Sequence, residues 1–239
     1  MSTGALPGAE AHEHTHADVS GGWLRAAVFG AMDGLVTNTA LVSGVGAGGA
    51  SAQTVVLSGM ASLVAGAVSM ALGEYTSVTT QNEQLEFEVA KERQELLRNP
   101  EGERRELVEL LRARGVDDEL AERVSVQLSR DPETALRLHV VAEIGLNPED
   151  TPSPRVAAVS SFVTFAAGAA VPLLPYLLGM SVLWLALVCG GAGLALAGAL
   201  SARFTPRPWW WAALRQLLFG AVAAGATYLV GTAIGVTVS

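Results

Sequence analysis

Eighteen carboxylates fall between residues 80 and 150 of this chain, and four of them repeat one spacing: Glu92 with Glu95, and Glu103 with Glu106. On a helix, residues three apart stand about 5–6 Å from each other at Cβ, so each pair costs a little unless a cation bridges it. The pairs flank Asn99-Pro100, a helix cap followed by a proline suited to the first helical position. A turn there lets them face one another across two antiparallel helices. The chemistry implied is the binding of a divalent cation by oxygen ligands. Arg93, Arg98, Arg104 and Arg105 interleave with these glutamates, however, and a solvated face neutralised locally would use the same residues. Spacing alone leaves both readings open.

A second set lies among apolar residues. Asp33 stands in GAMDGLVTNTALVSG. It lies about ten residues into an apolar run, which at 1.5 Å per residue is roughly 15 Å deep, near the middle of a bilayer. An ionisable side chain at that depth is costly and marks a transport path or a polar partner on a neighbouring helix. Thr37 follows one turn on, and Asn38 and Ser43 add polarity. Met70 and Glu74 are four apart and share a helix face. A thioether beside a carboxylate suits a borderline-soft divalent metal better than magnesium or calcium, although packing alone accounts for a methionine in an apolar helix. At the N-terminus His12, His14 and His16 surround Glu13, a tract suited to weak capture of a divalent metal or simply to a solvated tail. The single cysteine, Cys189, lies in an apolar run, so there is neither a disulfide framework nor a thiolate metal site.

The elements that must hold these residues follow from the distribution of charge. No Asp, Glu, Lys, Arg or His occurs between Gly34 and Gly73, between Val156 and Ala202, or after Gln216. A membrane span needs roughly 20 apolar residues to cross about 30 Å of hydrocarbon. The three blocks hold two, two and one spans, giving an all-α membrane protein with five transmembrane helices. No proline interrupts the chain from Ser58 to Asn99, so the second span is expected to run on into water as one helix. The domains are a His-containing disordered tail (1–22), spans 1 and 2 (23–79), an acidic helical insert (80–150) and spans 3 to 5 (151–239). Gly30, Gly34, Gly44 and Gly48 give the first span small-residue spacing for close helix contact.

The net charge of −8 sits wholly in the insert, whose eighteen carboxylates meet ten Lys and Arg. That balance excludes nucleic acid as a partner and favours cations. The remaining basic residues, Arg25, Arg155, Arg203, Arg207 and Arg215, all fall on the insert's side of the spans, and Trp209 to Trp211 form an interfacial belt beside them. The positive-inside rule therefore places the insert in the cytosol and the C-terminus outside.

With those residues in hand, the chain resembles the vacuolar iron transporter family and its bacterial homologues. MDGLVTNTALVSG in span 1, AGAVSMALGEY in span 2 and the acidic insert carry the resemblance, which covers nearly everything from Gly22. It implies a five-span dimer that moves Fe²⁺, and often Mn²⁺, out of the cytosol in exchange for protons. It also implies that Asp33 and Met70 line the path, that Glu92, Glu95, Glu103 and Glu106 hold metal, and that Glu143 joins them. The chain departs from the family at His139 and Val140, where eukaryotic members have two methionines, and at Ser62, where some have a second intramembrane glutamate. His139 is counted with the tail histidines as a weak ligand.

The reading is a divalent metal exporter of the cytoplasmic membrane, a homodimer embedded in lipid, with Fe²⁺ or Mn²⁺ as substrate and no prosthetic group. The insert gathers the ion, and Glu74, Met70 and Asp33 deliver it outward. A membrane-anchored di-iron carboxylate oxidase, or a metal-binding protein without transport, is the alternative. Ferritin-like oxidase sites need Glu-x-x-His on two helices. Leu136 stands three before His139, so that motif is missing.

Overall fold

The computed structural model describes residues 22–143, 145, 151–204 and 206–238. The apolar stretches become five helices long and apolar enough to cross a membrane. They are α1 (Trp23–Ala47), α2 (Ala52–Arg98), α6 (Pro154–Ala170), α8 (Leu183–Ser201) and α9 (Trp209–Val238). α6 is prolonged by a 3-10 turn (Val171–Leu173) and a short helix α7 (Leu174–Leu177), so that span runs to Leu177. Pro172 and Pro175 lack the N–H that a continuous α-helix would use, which accounts for the tightened turn. No strand occurs among the described residues.

α2 has 47 residues and is therefore roughly 70 Å long, more than twice the hydrocarbon thickness of a bilayer. Ser51 caps its start by accepting from the Thr54 N–H at 3.2 Å. Nothing breaks it before Asn99, which closes α2 and opens α3 (Pro100–Ala113) by accepting from the Gly102 N–H at 3.1 Å. Gly115, with φ of +89°, turns the chain where a side chain would be strained. Asp117 then caps α4 (Asp118–Leu128), accepting from the Leu120 N–H at 2.9 Å. α5 (Pro132–Glu143) returns to pack against the far half of α2. A seam of Leu85, Val89 and Leu96 on α2 against Leu136 and Val140 on α5 holds the two together.

α1 is the centre of the bundle, lying against α6, α9, α8 and α2. Its glycines allow this. A Cβ on Gly34 would strike the Phe165 carbonyl oxygen and lie 2.9 Å from the Ala169 nitrogen, while one on Gly44 would lie 2.9 Å from the Thr227 oxygen. α1 thus meets α6 through one pair of small residues and α9 through the other. Asn38, fully buried, donates to the carbonyls of Gly59 (3.2 Å) and Ala169 (2.8 Å), stitching α1 to α2 and α6. Ser43 donates to the Ala224 carbonyl at 2.9 Å, and Thr227 donates to the Ala40 carbonyl at 2.5 Å, doing the same for α9. Outward positions such as Leu57, Val64, Leu72, Val222 and Leu229 remain exposed, as lipid-facing side chains would.

Candidate metal centre

The site is built from three helices whose core-facing stripes each carry a polar residue where an apolar one belongs. On α2 the stripe reads Leu85, Val89, Glu92, Leu96; on α5 it reads Leu136, His139, Val140, Glu143. On α3, Glu103 lies one turn before Leu107, and both are buried. Packing these stripes together drives Glu92, Glu103 and His139 inward, and their ligand atoms all fall within 4.8 Å of one another. The His139 side chain is 1% exposed, Glu103 8% and Glu92 13%. These are values for a core, not a solvated surface.

His139 Nδ1 lies 3.4 Å from a Glu92 oxygen, 3.4 Å from a Glu143 oxygen and 3.7 Å from a Glu103 oxygen. One Glu92 oxygen is buried with no hydrogen-bond partner. Glu143 is more open, and Glu106, one turn beyond Glu103, is exposed at the same rim. The centre is therefore closed on the His139 side and open beside two further carboxylates.

The electrostatics agree with a site short of positive charge. Burial, then the Glu143 carboxylate and those of Glu103 and Glu106, push the Glu92 pKa up to about 7, while His139 opposes them. Burial together with Glu143 and Glu103 also raises Glu106. Two of the interleaved arginines are engaged with carboxylates outside the cluster. Arg93 makes a two-pronged pair with Glu133 at 2.5 and 3.2 Å, and Arg104 bridges Glu101 and Glu122 at 2.9 Å each. Such a pocket favours a bound proton or a cation over bare carboxylates.

Glu95 stands apart from the other predicted ligands. At 100° per residue it lies about 90° round α2 from the stripe that carries Glu92, and it is exposed. Conversely, His139 stands at the centre of the group, with Nδ1 within 3.7 Å of oxygens of Glu92, Glu103 and Glu143. Its spacing of four from Glu143 on an otherwise apolar stripe was the available signal.

In the spanning region, Asp33 is exposed on the single chain and accepts a hydrogen bond from Thr37 at 3.2 Å. Met70 is half-buried against Ala67, Phe165 and Ala169, and Glu74 is half-buried one turn further along α2. Neither Asp33 nor Glu74 belongs to a group of three convergent ligands among the described residues. His12, His14 and His16 lie outside the described residues.

Comparison with known proteins gives a consistent result. The profile of the VIT family matches residues 24–232. A vacuolar iron transporter of Acanthamoeba castellanii is 36% identical over 208 residues, covering 82% of this chain and 76% of that protein. Vacuolar iron transporter 1 of Eucalyptus grandis is 28% identical over 243 residues, covering 97% of this chain and 96% of that protein. The Arabidopsis thaliana protein of the same name is 28% identical over 228 residues, covering 92% and 90%.

Proposed function

The chain belongs to the VIT family, and on that premise we propose that this multi-pass membrane protein carries a divalent metal ion, Fe²⁺ or Mn²⁺, out of the cytosol in exchange for protons. The observation that carries the reading is the centre of Glu92, Glu103 and His139 on a helix continuous with the second span. Its relatives are named iron transporters, so the oxidase alternative is set aside. The insert, 80–150, acts as a metal-binding domain; Glu92, Glu103, Glu106, Glu143 and His139 take up the ion, and Glu95 adds charge at the surface.

The distribution of Lys and Arg supports a cytosolic insert and an outer C-terminus, and the membrane of this proposal is the cytoplasmic one. Asp33 supports a homodimer. A carboxylate facing lipid near the midplane is costly, and Thr37, its hydrogen-bond partner, lines an apolar groove of about 1040 Å³ between α1 and α9. A second copy seated along α1 would turn this open side into an interior path shared with Met70 and Glu74.

Within that path Asp33, the one carboxylate on α1, exchanges a proton for the ion. Asp33→Asn keeps the shape but cannot ionise. In proteoliposomes loaded with a pH-sensitive dye it should abolish both Fe²⁺ or Mn²⁺ flux and the accompanying proton movement. Wild-type flux with proton movement intact would remove Asp33 from the mechanism.

A further inference from the structure

We propose that the arginines and tryptophans at the start of α9 bind the headgroup of an anionic phospholipid, with Arg215 as the deepest contact. This surface plays no part in the transport reading, and the two can fail separately.

The depth of the patch comes from its aromatic residues. Arg203 lies in a 3-10 turn (Ala202–Phe204) that rests against both α8 and α9. Arg207 comes just before Pro208, and Trp209, Trp210 and Trp211 open α9. Both arginines and all three tryptophans are exposed. The rings of Trp210 and Trp211 meet edge to face, with centroids 6.0 Å apart. Exposed tryptophans at the end of a span sit at the level of the lipid headgroups, so the start of α9 is placed there.

Arg215 is the unusual member. It shares a helix face with Trp211, Leu218 and Val222, and all four are exposed. It stands six residues beyond Trp209, which carries its backbone about 9 Å farther along the helix, among lipid-facing side chains. The opposite face of α9 explains why it points outward. Ala212, Ala213, Gln216 and Gly220 are buried, and Gln216 donates to Met32 Sδ at 3.0 Å, which ties that face to α1. A guanidinium cannot rest in hydrocarbon, and near a helix end it rises to the interface. Helical side chains lean toward their own N-terminus, which here is the tryptophan end. The Arg215 guanidinium is thereby directed past Trp211 to the headgroups.

Charge then selects the occupant. Neither Asp nor Glu occurs after Asp150, and no ion pair among the described residues uses Arg203, Arg207 or Arg215. By contrast, Arg93, Arg104 and Arg112 of the insert all meet carboxylates. Three guanidiniums at headgroup level suit a phosphodiester, which each can bind through parallel N–H bonds. The choline of a zwitterionic headgroup would bring a further positive charge to the same place, and an anionic headgroup does not.

Tryptophan fluorescence reads the site directly. The chain has five tryptophans, so Trp23→Phe with Trp184→Phe leaves only those of the patch. Full-length protein in this background is placed in phosphatidylcholine bilayers containing a small fraction of chain-brominated phosphatidylglycerol or chain-brominated phosphatidylcholine. Brominated phosphatidylglycerol should quench at a mole fraction about tenfold or more lower, and Arg215→Gln should reduce that preference about fivefold. Arg155→Gln, on α6, should leave it within about twofold. Equal or stronger quenching by brominated phosphatidylcholine would mean that the tryptophan faces, not the arginines, choose the headgroup, and overturns the proposal whatever the variants do. A preference that survives Arg203→Gln, Arg207→Gln and Arg215→Gln together overturns the site in favour of the general charge of that membrane face. Loss of the preference on adding excess inorganic phosphate at constant ionic strength would make the ligand a free anion and overturn the lipid assignment.

Discussion

Glu92 is where metal capture and proton release should meet, and the size of the link can be worked out. Its carboxyl is held at about 7 by burial and by Glu143, Glu103 and Glu106, with His139 pulling the other way. At pH 6 a group of that pKa is protonated in about ten molecules of eleven, and at pH 8 in about one of eleven. A cation that binds the carboxylate must displace that proton, so Glu92 alone should cost about tenfold in apparent affinity, ~1.4 kcal/mol, between pH 8 and pH 6. Glu92→Gln loses a ligand and binds more weakly at pH 8, but it has no proton to displace. The ratio of mutant to wild-type Kd should therefore contract by about tenfold as the pH falls from 8 to 6.

Calorimetric titration of Zn²⁺ or Mn²⁺ into full-length protein, in buffers of differing ionisation heat, reads both quantities. Wild type should release about 0.9 proton more than Glu92→Gln at pH 6 and about 0.1 more at pH 8. A Kd ratio independent of pH, with equal proton release from the two proteins, would show that Glu92 is ionised before metal arrives and would refute the reasoning.

Two further outcomes are expected. Gly34→Ala puts a methyl against the Phe165 carbonyl, so it should cost about 1–3 kcal/mol and lower the melting temperature in detergent, whereas Gly225→Ala, with nothing within 4 Å, should not; equal melting temperatures would deny the close crossing of α1 and α6. In a Cys189→Ser background, Gln53→Cys should react with an impermeant thiol reagent in intact cells and Arg130→Cys should not; the opposite pattern would invert the proposed orientation.

The fold was legible because the bilayer leaves few choices. Long uncharged runs must be helices, and prolines, Asn99 and Gly115 mark where the insert turns. The continuity of α2 into the insert was equally plain, since nothing between Ser51 and Asn99 can stop a helix. The site was harder to read. Glu-x-x-Glu spacing suggests that both members of a pair face one way, but α2 buries a stripe that includes Glu92 and leaves Glu95 on its flank. His139 was counted only as a weak ligand because charge density draws attention to glutamates, and its place among Glu92, Glu103 and Glu143 depends on how three helices pack. The surroundings of Asp33 were not legible because which side of α1 faces lipid depends on what lies beyond one chain.

The distance between the centre and the path bears on how the insert can act. Glu92 lies eighteen residues beyond Glu74 on one unbroken helix, which is about 27 Å and about five full turns. The two carboxylates therefore share a face of α2, but that face is closed between them by Val78 and Leu85, both buried. An ion passing between them on the proposed function would leave the centre and cross water, where the exposed carboxylates of Glu83 and Glu86 lie on the same helix. On the proposed function, the insert then works by raising the local concentration of cations near the path, not as the first segment of a channel. Glu92→Gln combined with Glu103→Gln should accordingly slow Mn²⁺ flux into liposomes at limiting metal and leave the maximal rate at saturating metal within about twofold, because a concentrating device adds nothing once the path is full. If the double variant instead lowers the maximal rate as much as the rate at limiting metal, the ion must be handed on directly, and α2 must bend or the insert must swing toward Glu74 during each cycle.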